Sequence, residues 1–116
     1  MGIYTVHGYE HAVTLKVTGV ATTGTKLQYA LERPFNNWLL QVYGADGALT
    51  DWDVSLKGGL DADKVGTMIN HVNTSDDEGD LKTVQGLPAQ YLEIEVNGLT
   101  LDTATETTIV VIGMEL

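Results

Sequence analysis

Two histidines near the start of the chain are the first side chains with the chemistry to share a metal ion. His7 and His11 are four residues apart in strand-like sequence. At the usual rise per residue, that spacing puts both rings on one face but about 13 Å apart. A shared zinc ion would require the strand to fold back at Gly8. We therefore expect exposed histidines and no zinc site.

Two acidic segments have the composition of calcium-binding loops. They are residues 61–63 (Asp-Ala-Asp) and 76–80 (Asp-Asp-Glu-Gly-Asp). A twelve-position calcium loop needs glycine at its sixth position, but the sixth residue counted from Asp76 is Leu81. We expect a solvated acidic loop, with an irregular oxygen-ligand site as the alternative. No cofactor is predicted.

Arrangements for nucleophilic catalysis or phosphate binding are absent from the sequence. Ser55 and Ser75 are the two serines, neither lies in a Gly-x-Ser-x-Gly elbow, and the chain has no cysteine. Gly58 and Gly59 are not followed by the lysine and hydroxyl residue of a phosphate-binding loop. Carboxylates are abundant, but no spacing marks a catalytic pair. We predict a non-enzymatic protein without catalytic residues.

Aromatic rings offer a different chemistry, because an exposed ring can stack on the apolar face of a sugar. Trp38 and Trp52 each share a strand face with aliphatic residues, so we expect both to anchor the core instead of forming a sugar platform. The candidates for a sugar-binding face are the five tyrosines: Tyr4, Tyr9, Tyr29, Tyr43 and Tyr91.

The charge balance restricts the partners. The chain carries 6 basic and 16 acidic residues, a formal net charge of −10. Binding to nucleic acid or to an anionic membrane needs an excess of Lys and Arg, so neither partner is expected. No apolar run approaches the roughly 18 residues of a spanning helix, and the first residues do not form a signal peptide. The acidic excess favours solubility, or docking onto a basic surface.

Alternation of apolar and polar residues predicts about seven or eight short strands and no helix. The clearest runs are 11–18, 38–43, 52–56, 65–72 and 90–96. Residues 108–114 are apolar at consecutive positions, which indicates a central strand or one that is buried on both faces. We expect one domain over residues 1–116, an all-β, antiparallel β-sandwich of jelly-roll-like or immunoglobulin-like type.

Glycine and proline mark the predicted interruptions between these strands. Residues 44–47 offer positive-φ turn positions, and Gly58-Gly59 indicates a bulge or a sharp turn. Asn97-Gly98 is a hairpin-type turn signal. Pro34 limits pairing beside the short run 27–31, which fits an edge strand or a turn of helix. Residues 81–87 are too weakly patterned to assign.

The segment from Trp52 to Asp61, Trp-Asp-Val-Ser-Leu-Lys-Gly-Gly-Leu-Asp, resembles a known pattern. It is similar to the W-x-V-x-L-x-G-S-L-D-G segment of small β-sandwich structural proteins of tailed bacteriophages. Residues 87–94 resemble the P-x-R-Y-L-R-V strand that follows it there. The similarity covers roughly residues 38–96, and it departs at Gly59 and Ala62, where Ser and Gly are usual. Related segments occur in jelly-roll carbohydrate-binding modules.

This resemblance implies a structural component of the virion, made in the bacterial host cytoplasm. The leading expectation is a head decoration protein that binds the major capsid protein, or another virion protein, and stabilises the capsid. A homo-oligomer, for instance a trimer, is expected at the capsid lattice. The alternative is a carbohydrate-binding module of a tail or fibre that adheres to the host surface. Contacts with a partner are expected at the Gly58-Gly59 exit and the acidic loops after it.

Overall fold

Antiparallel strands make up nearly all of the regular structure. The computed structural model describes residues 3–8, 11–20, 22–74 and 78–115. The strands are β1 (Ile3–Gly8), β2 (Ala12–Val20), β3 (Lys26–Gly44), β4 (Leu49–Asp61), β5 (Lys64–Thr74), β6 (Leu81–Leu101) and β7 (Thr107–Met114). They are hydrogen-bonded in the order β1-β2-β7-β3-β6-β4-β5. The prediction of an all-β, antiparallel sandwich of seven or eight strands is confirmed.

Strands β3 and β6 are long enough to take part in both layers of the sandwich. Residues 26–30 of β3 pair with residues 91–95 of β6, and residues 37–41 pair with residues 81–85. The register shifts between these two stretches, where Pro34 lies in β3. A strand that changes layer through such a bend forms a corner of a sandwich. One layer therefore holds β1, β2 and β7, and the other holds β4 and β5.

The core lies between the two layers and contains both tryptophans. Trp38 is 0% exposed and Trp52 is 2% exposed, which confirms their prediction as core anchors. The Trp38 indole meets the edge of Phe35, with the ring centroids 6.4 Å apart. The indole also packs on Gly113 of β7, where an added Cβ would lie 2.6 Å from Cζ3 of Trp38. A close-packed core thus requires glycine at that position.

A buried hydrogen-bonded chain joins Trp52 to the segment that precedes β6. His71 is fully buried, and its Nδ1 accepts a hydrogen bond from Nε1 of Trp52 at 2.8 Å. Because Nδ1 accepts, the neutral ring carries its proton on Nε2, which lies 3.1 Å from the carbonyl oxygen of Asp80. The three groups therefore satisfy one another inside the core.

The glycines at the β3–β4 connection permit close approach of two loops. Neither Gly44 nor Gly47 has a positive φ, so the prediction of positive-φ turn positions there is wrong. A Cβ added to Gly44 would lie 2.9 Å from the Cβ of Ala104, and one added to Gly47 would lie 2.7 Å from the Ala104 nitrogen. The loop that precedes β7 therefore requires glycine at 47, whereas at 44 the Gly47 carbonyl oxygen would be struck first.

Two predicted interruptions lie within long strands. The run Leu27–Leu31 is strand and not helix, and it continues through Pro34 as β3. Asn97-Gly98 is a bulge and not a turn, because Asp53 pairs with Gly98 while Val54 pairs with Val96. The unassigned residues 81–87 form the start of β6. Local sequence signals misled here because long-range pairing stabilises both strands.

The acidic segment before β6 is held by hydrogen bonds instead of being solvated throughout. The Glu78 carboxylate accepts from the Gly44 nitrogen at 2.6 Å and from the Leu49 nitrogen at 3.1 Å. The Gly79 nitrogen donates to the Val42 carbonyl at 2.9 Å. Glu78 therefore closes the β3–β4 connection, which corrects the solvated-loop prediction at that residue. Asp76 and Asp77 lie outside the described residues.

Candidate functional site

A cleft of about 290 Å³ lies between the β3–β6 pair and the tip of the β4–β5 hairpin. Its walls are residues 28–30 of β3 and residues 91–93 of β6, together with Ala62 and Val65 from the hairpin tip. The β3 and β6 segments are paired to each other, so the walls rest on sheet backbone. Side chains presented from paired strands are held more precisely than side chains on loops.

Tyr91 lines this cleft, and small neighbours on both adjacent strands leave its aromatic ring uncovered. It is half-buried, and its cross-strand neighbours are Ala30 on β3 and Gly59 on β4. Neither neighbour has a side chain long enough to cover the ring. Tyr29 also lines the cleft, and its ring packs against the hydrophobic core. Tyr91 thus offers a ring face to the cleft, whereas the Tyr29 ring is directed toward the core.

The two glycines at the end of β4 set the position of the hairpin tip. A Cβ added to Gly58 would lie 2.8 Å from the Cβ of Ala89, and one added to Gly59 would strike the Lys64 carbonyl oxygen. The strand register shifts between Gly58 and Asp61, which confirms the predicted irregularity. The absence of side chains at both positions therefore lets the tip approach the β6 strand and form the far wall of the cleft.

A carboxylate and an amide supply the polar groups of the cleft. Nε2 of Gln28 donates to Oε1 of Glu93 at 3.1 Å, and the ammonium of Lys57 lies 3.9 Å from the other oxygen. Lys57 makes its short contact with Glu95, at 2.6 Å. That hydrogen bond raises the pKa of Lys57 and lowers the pKa of Glu95. Lys57 is therefore engaged mainly with Glu95, outside the cleft.

The polar row continues across the outer face of this layer, away from the cleft. Oγ of Ser55 donates to the side-chain oxygen of Asn70 at 2.9 Å. The Asn97 amide donates to Ser55 at 3.0 Å and to Asp53 at 3.4 Å. Gln28 and Glu93 are therefore the polar groups that lie in the cleft with Tyr91, where they can exchange hydrogen bonds with a polyhydroxyl ligand.

The structure brings together two of the five predicted tyrosines and separates a third. Tyr29 and Tyr91 line the cleft, whereas Tyr43 is half-buried in the opposite layer and pairs with Thr108 of β7. Tyr9 and the side chain of Tyr4 lie outside the described part of the chain. The same holds for the His7 side chain, so the predicted absence of a His7–His11 zinc site is not tested.

The remaining lining residues were not predicted from the sequence. They are Gln28, Ala30, Ala62, Val65, Leu92 and Glu93. A signal for Glu93 was available, because it lies two residues after Tyr91 and alternation puts both on one face. The hairpin-tip residues carried no such signal, since their position depends on how closely β4 and β5 approach β6.

Two other clefts lack an accessible aromatic ring. One, of about 500 Å³, is lined by residues 51–53 and 98–100 and by Val72, but the Trp52 ring in it is buried. The other, of about 210 Å³, lies where Pro34 and Pro88 face each other beside Glu115. Within the described ranges, no group of three or more His, Asp or Glu side chains is placed to hold a metal ion. No helix in those ranges could span a membrane.

Comparisons with known proteins find the fold but no family. No family model matches the chain. No curated protein matches it either. Among solved structures it is similar to the CBM32 of AlyQ in complex with 4,5-unsaturated mannuronic acid, at 17% identity and a TM-score of 0.54, over 84% of this chain and 75% of that one. It is also similar to the SPBc2 prophage-derived protein YomS, at 11% identity and a TM-score of 0.58, over 94% and 99% of the two chains.

A third similar structure is part of a much longer enzyme. It is a family 89 glycoside hydrolase from Clostridium perfringens in complex with PUGNAc, at 14% identity and a TM-score of 0.58. The match covers 88% of this chain and 11% of that chain. At these identities the likeness shows a shared β-sandwich fold, found both in a carbohydrate-binding module and in a prophage-derived protein.

Proposed function

We propose that this chain is a non-catalytic carbohydrate-binding module. The observation that carries the proposal is the cleft in which the Tyr91 ring lies beside the Gln28–Glu93 pair. The fold supports it, since the chain resembles a CBM32 module in architecture. This was the alternative in the sequence analysis, and the cleft and the fold favour it over capsid decoration.

The mechanism is recognition by stacking and hydrogen bonding. A sugar ring packs its apolar face on Tyr91, and its hydroxyl groups bond to the Gln28 amide and the Glu93 carboxylate. Because these groups stand on paired strands, little side-chain freedom is lost on binding. The cleft is open and small, so it suits one or two sugar units at the end or side of a longer glycan.

Replacing Tyr91 by Ala tests the proposal directly. We expect Tyr91→Ala to weaken binding of the best glycan by at least about tenfold, which corresponds to about 1.4 kcal/mol. The glycan is first identified on an array and then measured by titration calorimetry. Tyr43→Ala is the matched control, since Tyr43 is also a half-buried tyrosine on a strand but faces away from the cleft. It should leave the affinity unchanged.

Two results would contradict this function. The first is that the folded protein binds no glycan on a broad array. The second is that glycan binding survives Tyr91→Ala and is lost in Tyr43→Ala, which would place the site elsewhere. Circular dichroism of both variants confirms that they are folded before the affinities are compared.

A structural role on a virus particle is a second candidate. It is supported by the likeness to the prophage-derived protein YomS, whose chain is matched over 99% of its length. The acidic charge suits docking onto a basic patch of the major capsid protein. The purified chain should then saturate capsids that lack it at a fixed ratio and raise their resistance to heat. Absence of any association with capsids or tails removes this candidate.

A further inference from the structure

Glu93 is a largely buried carboxylate that has no cation at hydrogen-bond distance among the described residues. Its side chain is 12% exposed, and it accepts a neutral hydrogen bond from Gln28 at 3.1 Å. Among the described residues, Lys57 alone comes within ion-pair distance, and it does so at 3.9 Å. A carboxylate that is removed from water is stabilised strongly by a cation at hydrogen-bond distance. A cation from a ligand, placed at hydrogen-bond distance, would therefore stabilise the Glu93 carboxylate more than Lys57 does.

Lys57 is not available to fill that role while Glu95 is present. Its ammonium lies 2.6 Å from Glu95, and that hydrogen bond raises the pKa of Lys57. Lys57 is the cross-strand neighbour of Glu93, and its short contact is with Glu95, which lies two positions further along β6 from Tyr91 than Glu93 does. The cleft side of Glu93 faces the space that a ligand would occupy.

We propose, resting on the carbohydrate-binding function above, that the cleft selects a sugar with a free amine. The ammonium of such an amino sugar pairs with Glu93 while the sugar ring packs on Tyr91. A charge-assisted hydrogen bond of this kind is about twice as strong as a neutral one. The formal net charge of −10 also attracts a cationic glycan at long range.

The same charge arrangement disfavours acidic sugars. A uronate in the cleft would bring its carboxylate next to Glu93, and like charges at close range oppose binding. The similar CBM32 of AlyQ was solved with 4,5-unsaturated mannuronic acid, which is an acid of this type. This chain would therefore bind amino sugars, whereas a structure with the same fold was solved with an acidic sugar.

Calorimetry with oligosaccharides of equal length tests the inference. The probes are oligomers of glucosamine, N-acetylglucosamine and mannuronate, measured at pH 6 and at two salt concentrations. We expect the glucosamine oligomer to bind at least about tenfold tighter than its acetylated counterpart. The difference should shrink at high salt, because ions screen the attraction.

Three variants assign the selectivity to Glu93. Glu93→Gln should abolish the preference for the amine, so that the glucosamine and N-acetylglucosamine oligomers bind with similar affinity. Asp51→Asn removes the same charge from an exposed position outside the cleft, so it should keep the preference. Glu95→Gln should weaken the preference although Glu95 does not line the cleft, because Lys57 is then free to pair with Glu93.

The outcomes separate this inference from the proposed function. Equal or tighter binding of the acetylated or mannuronate oligomer overturns the amine selectivity and leaves carbohydrate binding intact. Binding of no oligosaccharide contradicts the carbohydrate-binding function itself. Oligolysine of equal charge is an added probe. If it competes as strongly as the glucosamine oligomer, attraction is by charge alone and the inference is overturned.

Discussion

Trp52 and His71 show how a single polar contact can be obligatory inside an apolar core. The indole of Trp52 donates to Nδ1 of His71, and both side chains are buried. Removing one partner leaves the other buried without its hydrogen bond, which costs more than the bond itself contributes. We therefore expect substitution of either residue to destabilise the fold, even when the new side chain is apolar and of similar volume.

Trp52→Phe should destabilise the fold by about 2–3 kcal/mol, from a lost hydrogen bond and a small cavity. Urea unfolding followed by circular dichroism measures the change. The control is the double variant Trp52→Phe with His71→Leu, compared with each single variant. Because His71 is then also absent, the double variant should lose less free energy of unfolding than the two single variants lose together. Simple additivity would contradict the coupling.

Several properties of individual residues were predictable from the sequence. Alternation with aliphatic neighbours correctly predicted burial of Trp38 and Trp52. The tyrosine candidates included both cleft tyrosines, Tyr29 and Tyr91. The sequence could not show which tyrosines line the same cleft, because the pairing of residues 26–30 with residues 91–95 joins positions more than sixty apart.

At the scale of elements, one carboxylate joins the two loops at the end of the sandwich. Asp46, in the β3–β4 connection, accepts hydrogen bonds from the Thr105 nitrogen, at 2.8 Å, and from the Thr105 hydroxyl. The Ala45 nitrogen donates to the Glu106 carbonyl at 3.0 Å, so the backbones also meet. The hydrogen bonds from Thr105 lower the pKa of Asp46 below its ordinary value of 3.8.

The lowered pKa makes the contribution of this contact depend on pH. A carboxyl whose pKa is lower in the folded state stabilises the fold above its unfolded-state pKa, and that gain is lost as the pH falls through the folded-state value. Thr105→Val should therefore lower the melting temperature at pH 7, and the difference from wild type should narrow as the pH falls below 3.8.

A second threonine gives the matched control for that pH profile. The Thr103 hydroxyl accepts from the Ala48 nitrogen at 2.8 Å in the same pair of loops, but it contacts no carboxylate there. Thr103→Val should lower the melting temperature by an amount that does not change over the acidic range. If the melting-temperature differences of the two variants from wild type changed with pH in the same way, the role of Asp46 would be contradicted.

The elements that sequence reasoning missed are those whose ends depend on partners far away in the chain. Asn97-Gly98 has the composition of a hairpin turn, yet β4 pairs with residues on both sides of it and turns Asn97 into a bulge. A Cβ at Gly47 would strike the loop near Ala104, which no local pattern reveals. The alternation of apolar and polar residues predicted which segments are strands, but it did not predict where each strand ends.

At the scale of the whole molecule, the sandwich is one connected sheet instead of two separate ones. Strands β3 and β6 pair with each other in both layers, and each also pairs with a strand that belongs to a single layer. Opening either layer must therefore disturb the same two strands. We expect the amide hydrogens of β3 and β6 to be among those exchanged only through global unfolding.

The central place of β7 has a consequence for how the protein is made. This apolar strand lies between β2 and β3, yet it is synthesised after both of them and after β6. Until residues 107–114 leave the ribosome, the facing edges of β2 and β3 have no partner. With synthesis at about 5–20 residues per second, the nascent chain exposes two unpaired strand edges for several seconds. The sheet can therefore be completed only after β7 has been synthesised.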